Sequence, residues 1–215
     1  MTKDNLEFLG YMKDNMFELQ QLMSYYRCAI MEIETKFKVL DEEYSLQHDR
    51  NPINSIKSRL KKFPSIVEKM ERKGYELTAA SIEDNLNDVA GIRVICPFEE
   101  DVYTLADALL RQDDITLIRR KDYIKNPKDN GYRSLHLILE IPIFLSEQKK
   151  NMKVEVQFRT IAMDFWASLE HKLKYKKDIA DPEEISKELK ACAEESAALD
   201  LRMQALRDRI DARRA

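Results

Sequence analysis

Four segments in the middle of the chain are rich in Val, Ile and Leu over strand lengths, and together they commit the protein to a sheet. They are AGIRVICPF (90–98), ITLIRRKDYI (115–124), RSLHLILEIPI (133–143) and KVEVQFRT (153–160). The last alternates most strictly. Val154, Val156 and Phe158 fall on one face and Lys153, Glu155, Gln157 and Arg159 on the other, so one side is buried and the other either meets water or walls a polar site. At the start of the third, Tyr132, Ser134 and His136 are expected on one face, with Leu135 and Leu137 pointing away. The short polar link SEQKKN favours an antiparallel hairpin between the third and fourth strands. Helical patterns at 100–112 and 160–176 separate or follow the strands, which predicts a small mixed sheet with helices against it, an α/β or α+β fold.

Both ends of the chain read as long helices. Between Gly10 and Pro52 there is no Gly or Pro, and Met12, Met16, Leu19, Met23, Tyr26, Ile30, Ile33, Phe37, Leu40 and Tyr44 alternate spacings of four and three. As one helix of about 33 residues this would span about 50 Å, longer than a small domain is wide, so it either bends back or lies against a partner. Ile185, Leu189, Cys192, Ser196, Leu199, Met203, Leu206 and Ile210 repeat the alternation near the C-terminus. The two seams pair within the chain or between copies, and a homo-oligomer is favoured. Ahead of the sheet, residues 51–74 read as a helix with Asn51 as N-cap, Pro52 in its first turn, Gly74 as its stop and a kink or break at Pro64 near Phe63.

Charge narrows the function. The net charge of −3 conceals two basic islands, at 57–73 and 119–133, in an otherwise acidic chain. That pattern suits local anion binding better than a coat for nucleic acid, which is not an expected partner. Each island alone is equally well a solvated face. Cys28, Cys96 and Cys192 are odd in number and far apart, so they read as small buried hydrophobes in a reducing compartment. With no signal-peptide layout and no apolar run long enough to span a membrane, the expected location is the cytoplasm.

Asp88 stands just before a strand, Gly91 permits close backbone approach, and Arg93 lies on the strand itself. Two acids, Asp88 and Glu155, near two basic islands fit an Mg²⁺-polyphosphate site, because Mg²⁺ takes one or two carboxylates and completes its shell with water and phosphate oxygens. The plain alternatives are a turn acid and a half-solvated strand. Four glycines leave no room for a P-loop, so side chains must hold the phosphates.

SRLKKFPSIVEKMERKG, DVAGIRVIC, RRKDYIKNPKDNGYRSLHL and VEVQFRTIAMDFWASLEHKLKYK, in this order, closely resemble the synthetase domain of RelA/SpoT proteins. The length and flanking helices are similar to the stand-alone small alarmone synthetases, and the long N-terminal helix is more like the RelP branch than the RelQ branch. The resemblance divides the chain into a helical region (1–50), the synthetase domain (51–177) and a C-terminal oligomerisation helix (178–215). It implies a nucleotidyltransferase-like mixed sheet, often in a homotetramer, in a bacterial cytoplasm. The implied reaction is transfer of the β,γ-pyrophosphoryl group of ATP to the 3′-hydroxyl of GDP or GTP, with Mg²⁺ as cofactor.

By the same resemblance, Arg59 and Arg93 would sandwich adenine, and Lys61, Lys69 and Arg72 would hold the ATP phosphates. Asp88 and Glu155 would bind Mg²⁺, with Glu155 also taking the 3′-hydroxyl proton. Tyr132 would stack on guanine, His136 would hydrogen-bond near the reacting phosphates, and Gln157 and Arg159 would brace that wall. RRKD at 119–122 matches the RxKD form of a family motif and offers Arg119 and Lys121 to phosphate, with Lys128 beside them. Asp164 either reads guanine or caps the following helix, and Glu170 and His171 are supports. The hydrolase of longer relatives is expected to be absent, since beyond His48-Asp49 only His136 and His171 remain. Two other readings stand beside this one: an idle oligomer that binds RNA, and a nucleotidyltransferase that releases pyrophosphate.

Overall fold

The computed structural model describes residues 16–47, 51–174 and 181–213. Helix α1 (Met16–Gln47) leads into strand β1 (Ser55–Leu60), helices α2 (Phe63–Lys73) and α3 (Ala79–Asn85), strand β2 (Ala90–Cys96) and helix α4 (Glu99–Leu110). Strands β3 (Thr116–Asp122), β4 (Leu135–Phe144) and β5 (Lys149–Thr160) follow, then helices α5 (Ile161–Lys174) and α6 (Pro182–Asp211). The sheet order is β1-β2-β5-β4-β3. Only β2 and β5 run parallel; the other three neighbouring pairs are antiparallel. The mixed sheet with flanking helices read from the sequence is borne out.

The apolar halves of β2, β4 and β5 form the floor of one core. Ile92, Val94, Leu135, Leu137, Leu139, Val154, Val156 and Phe158 are buried there with Val102, Leu105 and Leu109 of α4. Helix α1 completes that core. Its seam residues Leu19, Tyr26, Ile30, Ile33, Phe37 and Leu40 are buried in the same cluster, and Phe37 meets Phe158 edge-on with centroids 5.8 Å apart. The N-terminal seam therefore needs neither a bend nor a partner, because the sheet itself is its partner. Its first member, Met12, and the His48-Asp49 pair lie outside the described residues.

Three expectations for residues 51–74 are corrected. The helix expected over 51–74 is a strand followed by a shorter helix. Ile53, Ile56, Leu60, Phe63, Val67 and Met70 follow helical spacing, yet Ile56, Ser58 and Leu60 alternate with Ser55, Lys57 and Arg59, and pairing with β2 decides in favour of the strand. Asn51 caps no helix: its Oδ1 accepts from Ile53 N (2.8 Å) and its amide donates to Asp41 and Ser45 of α1. Pro64 does not kink a helix but sits in the first turn of α2, where its missing N–H costs nothing. Gly74 does stop that helix, with φ 68°.

Ser134 is buried rather than displayed beside His136, and its hydroxyl donates to Phe158 O at 3.0 Å; the pleat begins only at Leu135. Of the cysteines only Cys96 is fully buried, and Cys192 is exposed. The reason is that α6 docks through Leu189, Ala193, Ser196 and Asp200, leaving Cys192 and the later seam members Leu199, Met203, Leu206 and Ile210 outside.

Phe37→Ala, which removes the ring that α1 sets against Phe158, is expected to cost about 3–5 kcal/mol of stability in urea unfolding. A loss below about 1 kcal/mol would show that α1 does not close this core.

Candidate functional site

In-register pairing carries one polar row across all five strands. Lys57, Arg93, Gln157, His136 and Lys121 are successive partners from β1 to β3. A second row on the same face runs Arg59, Gly91, Glu155, Ile138 and Arg119. Side chains repeat every two residues along a strand and paired residues point the same way, so both rows project opposite to the core. A bulge between Leu117 and Arg119 keeps Arg119 and Lys121 on this face. Gly91, next to Glu155, leaves the middle of the face open.

Around Glu155 the side chains close a ring of hydrogen bonds. Arg159 donates to the Tyr132 hydroxyl (2.8 Å) and to Gln157 Oε1 (3.2 Å), and Gln157 Nε2 donates to Glu155 Oε2 (3.0 Å). His136 joins the remaining two, with Nε2 at 2.8 Å from the Tyr132 hydroxyl and Nδ1 at 3.2 Å from Glu155 Oε1. One assignment of protons satisfies every contact: Tyr132 donates to Nε2, and Nδ1–H donates to Glu155. Both Glu155 oxygens are thereby held in place.

Three carboxylates on this face are kept ionised. Burial pushes Asp88 up, but Lys61 at 2.8 Å from Oδ2 and Lys69 at 2.8 Å from Oδ1 more than offset it and hold it below the usual range. Burial likewise opposes Glu155, and His136 and Gln157 bring it down in spite of the Asp88 charge nearby. Asp164, in the first turn of α5, is buried among Lys57 (3.1 Å), Arg93 (3.1 Å) and Arg159 (3.0 Å), which outweigh its desolvation. It does not cap α5, since Thr160 Oγ1 accepts from Met163 N (3.2 Å) and takes that place.

Asp88 and Glu155 line one cleft of about 400 Å³ with Lys69, Arg119, Lys121, Tyr123, Lys128 and His136. A second cleft, about 440 Å³, is walled by Arg59, Lys61, Lys69 and Arg72. A third, about 200 Å³, holds Arg59, Gly91, Arg93, Glu155, Gln157 and Arg159. Shared walls make them one trough: Arg59 and Lys69 each border two clefts, and Glu155 stands between the arginine-rich and lysine-rich ends. The donors fit a hard divalent cation. Two carboxylates, Asp88 and Glu155, face one cleft. Among the described residues no group of three or more His, Cys, Asp or Glu forms a ready-made metal cluster.

Most of the residues singled out from the sequence thus meet in the trough. Tyr132 stands at its margin, tied to His136 and Arg159. Glu170 lies behind, accepting from Asn130 (3.1 Å), and His171 is exposed on α5, lining none of the three clefts. Sequence reasoning missed Tyr123, Lys57 and Asn130. The Lys128 ammonium sits 4.8 Å from the ring centroids of both Tyr123 and Tyr132, Lys57 pairs with Asp164, and Asn130 pins the Tyr132 backbone N–H (3.2 Å). The signal for Lys57 was its place in β1, hidden by the mistaken helix.

A trough floored by two carboxylates, rimmed by lysine and arginine and free of a glycine-rich loop defines a class of protein that holds polyanions through side chains. Comparison with known proteins gives the family. Residues 58–180 match the family described as a region found in RelA / SpoT proteins. GTP pyrophosphokinase YwaC of Bacillus subtilis is 45% identical over 186 residues, covering 86% of this chain and 89% of that protein. The crystal structure of small alarmone synthetase 2 from Bacillus subtilis superposes with a TM-score of 0.80 at 41% identity, covering 89% of this chain and 99% of that one. Small alarmone synthetase 1 from the same organism, bound to its product pppGpp, gives 0.82 at 34% identity over 89% and 97%. The chain belongs to the RelA/SpoT family.

Because folding lowers the Asp164 pKa, its stabilisation is present above the unfolded value of about 3.9 and is lost as pH falls through the folded one. Asp164→Asn should melt below the wild type at pH 7, and the gap should shrink as pH drops below about 4. A gap independent of pH would contradict this electrostatic account.

Proposed function

We propose that the chain is a (p)ppGpp synthetase, a GTP diphosphokinase that transfers the β,γ-pyrophosphoryl group of ATP to the 3′-hydroxyl of GDP or GTP and releases AMP. The observation that carries this reading is the place of Glu155, held by two neighbours between a cleft with Arg59 and Arg93 and a cleft with Arg119, Lys121 and Lys128. Such a trough suits two nucleotides meeting end to end.

In this reading Arg59 and Arg93 stack on adenine, and Lys61, Lys69 and Arg72 neutralise the triphosphate. Asp88 and Glu155 would hold Mg²⁺ against the phosphates, which supplies further charge neutralisation. Guanine stacks on Tyr132 in exchange for the Lys128 ammonium, which then meets the acceptor phosphates with Arg119 and Lys121. The acceptor 3′-oxygen bonds to the β-phosphorus, the bond from that phosphorus to the α,β-bridging oxygen breaks, and AMP leaves. Glu155, ionised at neutral pH and aimed by His136 Nδ1–H, takes the hydroxyl proton. His136 acts through Glu155 and Tyr132, since both its ring nitrogens are engaged. Asp164 keeps Arg93 and Arg159 in position, and the rest of the chemistry is positioning and charge.

A homo-oligomer, a tetramer by family resemblance, and a cytoplasmic setting belong to the same proposal. On α6, Leu199, Met203, Leu206 and Ile210 follow heptad spacing and each is about half exposed, while Ile161, Phe165, Leu169 and Leu173 form an exposed stripe on α5. A second copy offers the same surfaces in return. Among the described residues no helix is long and apolar enough to cross a membrane.

Glu155→Gln should lower formation of AMP and ppGpp from ATP, GDP and Mg²⁺ by at least about 100-fold in chromatographic assays, with unchanged circular dichroism. Turnover within a few-fold of the wild type would refute the assignment. Leu206→Glu should lower the mass seen by light scattering, and an unchanged mass would place the interface elsewhere.

A further inference from the structure

The turn that carries Tyr132 touches the C-terminal helix where no extra atom fits. Gly131 has φ +88°, and a β-carbon there would lie 2.5 Å from the Ala193 β-carbon, with Lys190 backbone atoms 3.6 and 3.7 Å away. Neither side of this contact can grow without displacing the other. Two more ties reinforce it: Trp166 Nε1 donates to Leu189 O at 2.8 Å, and Tyr132 and Leu189 pack on the cluster of Trp166, Ala167 and Ala193. From the α5 side, Asn130 bonds Glu170 and the Tyr132 backbone N–H. The turn is thus clamped between α5 and α6, at the margin of the trough and outside the sheet.

We infer that α6 is a brace for the acceptor-nucleotide site: Ala193 and Leu189 act as positioning residues that set the plane of Tyr132. This rests on the reading of Tyr132 as the guanine platform. A helix that merely covered apolar surface would press on side chains of the core. Here it also abuts the backbone of a nucleotide loop, where Gly131 and Ala193, the smallest residues on either side, face each other. A side chain that wedges the two apart shifts Tyr132 directly and reaches the Arg59–Arg93 cleft only through Arg159, which bonds the Tyr132 hydroxyl.

The test uses Ala193→Leu, with Glu194→Leu on an exposed position of the same helix as control and Ala193→Val should the first variant fail to fold. GDP and a non-hydrolysable ATP analogue are titrated by calorimetry, and the emission of Trp166, the sole Trp in the chain, reports the junction itself. The expected result is a changed Trp166 emission and a GDP dissociation constant raised about tenfold, an ordinary size for coupling between sites. Affinity for the ATP analogue should change by less than about twofold, KM for GDP should rise more than kcat falls, and Glu194→Leu should bind both nucleotides normally. A changed emission with GDP affinity within about twofold of wild type, or an equal loss for both nucleotides, would overturn the brace. Wild-type protein that binds the ATP analogue but no GDP would instead remove the acceptor reading on which the brace rests.

Discussion

The pairing of β5 between β2 and β4 is the constraint on which the rest depends. It places Glu155 beside Gly91 on one side and Ile138 on the other, and Gln157 between Arg93 and His136. A slip of one residue would exchange the two faces of β5, sending Glu155 and Gln157 into the core and Val156 and Phe158 into the trough. The burial of Val154, Val156 and Phe158 under α1 and α4 makes such a slip prohibitively costly. The hydrophobic core therefore fixes the register, and the register composes the site.

Given that register, the electrostatics follow. Carboxylates on a half-buried sheet face would protonate or repel one another unless cations stood close. Lys61 and Lys69 for Asp88, and Lys57, Arg93 and Arg159 for Asp164, supply them, while Glu155 is held by His136 and Gln157. The trough is already charged and aimed before any nucleotide enters, which suits a reaction in which placement and neutralisation dominate.

Much of this was legible in the sequence. Strict alternation in KVEVQFRT located β5 and its polar face, and the long N-terminal seam foretold a helix with one buried stripe. Four motifs in order identified the family before any coordinates. What stayed hidden was whatever depends on long-range pairing. The Ile and Leu spacing of 53–70 satisfies helical periodicity, and only the β2 edge turns Ser55–Leu60 into a strand. The partners of Asp164 come from β1, β2 and β5, and nothing in DFWASLEH announces them. The docking face of α6 stayed hidden for a related reason: Leu199, Met203, Leu206 and Ile210 of its seam are exposed, while Leu189 and the small or polar Ala193, Ser196 and Asp200 make the contact.

The central claim is that the trough moves an intact pyrophosphoryl group between two nucleotides. Phosphorus NMR of wild-type protein with Mg²⁺, GDP and ATP labelled in its β-phosphoryl group follows that group directly. The account predicts that the label arrives, with its γ neighbour attached, on the 3′-oxygen of the guanosine nucleotide while AMP accumulates in equal amount. Label appearing as free pyrophosphate or free phosphate would contradict it.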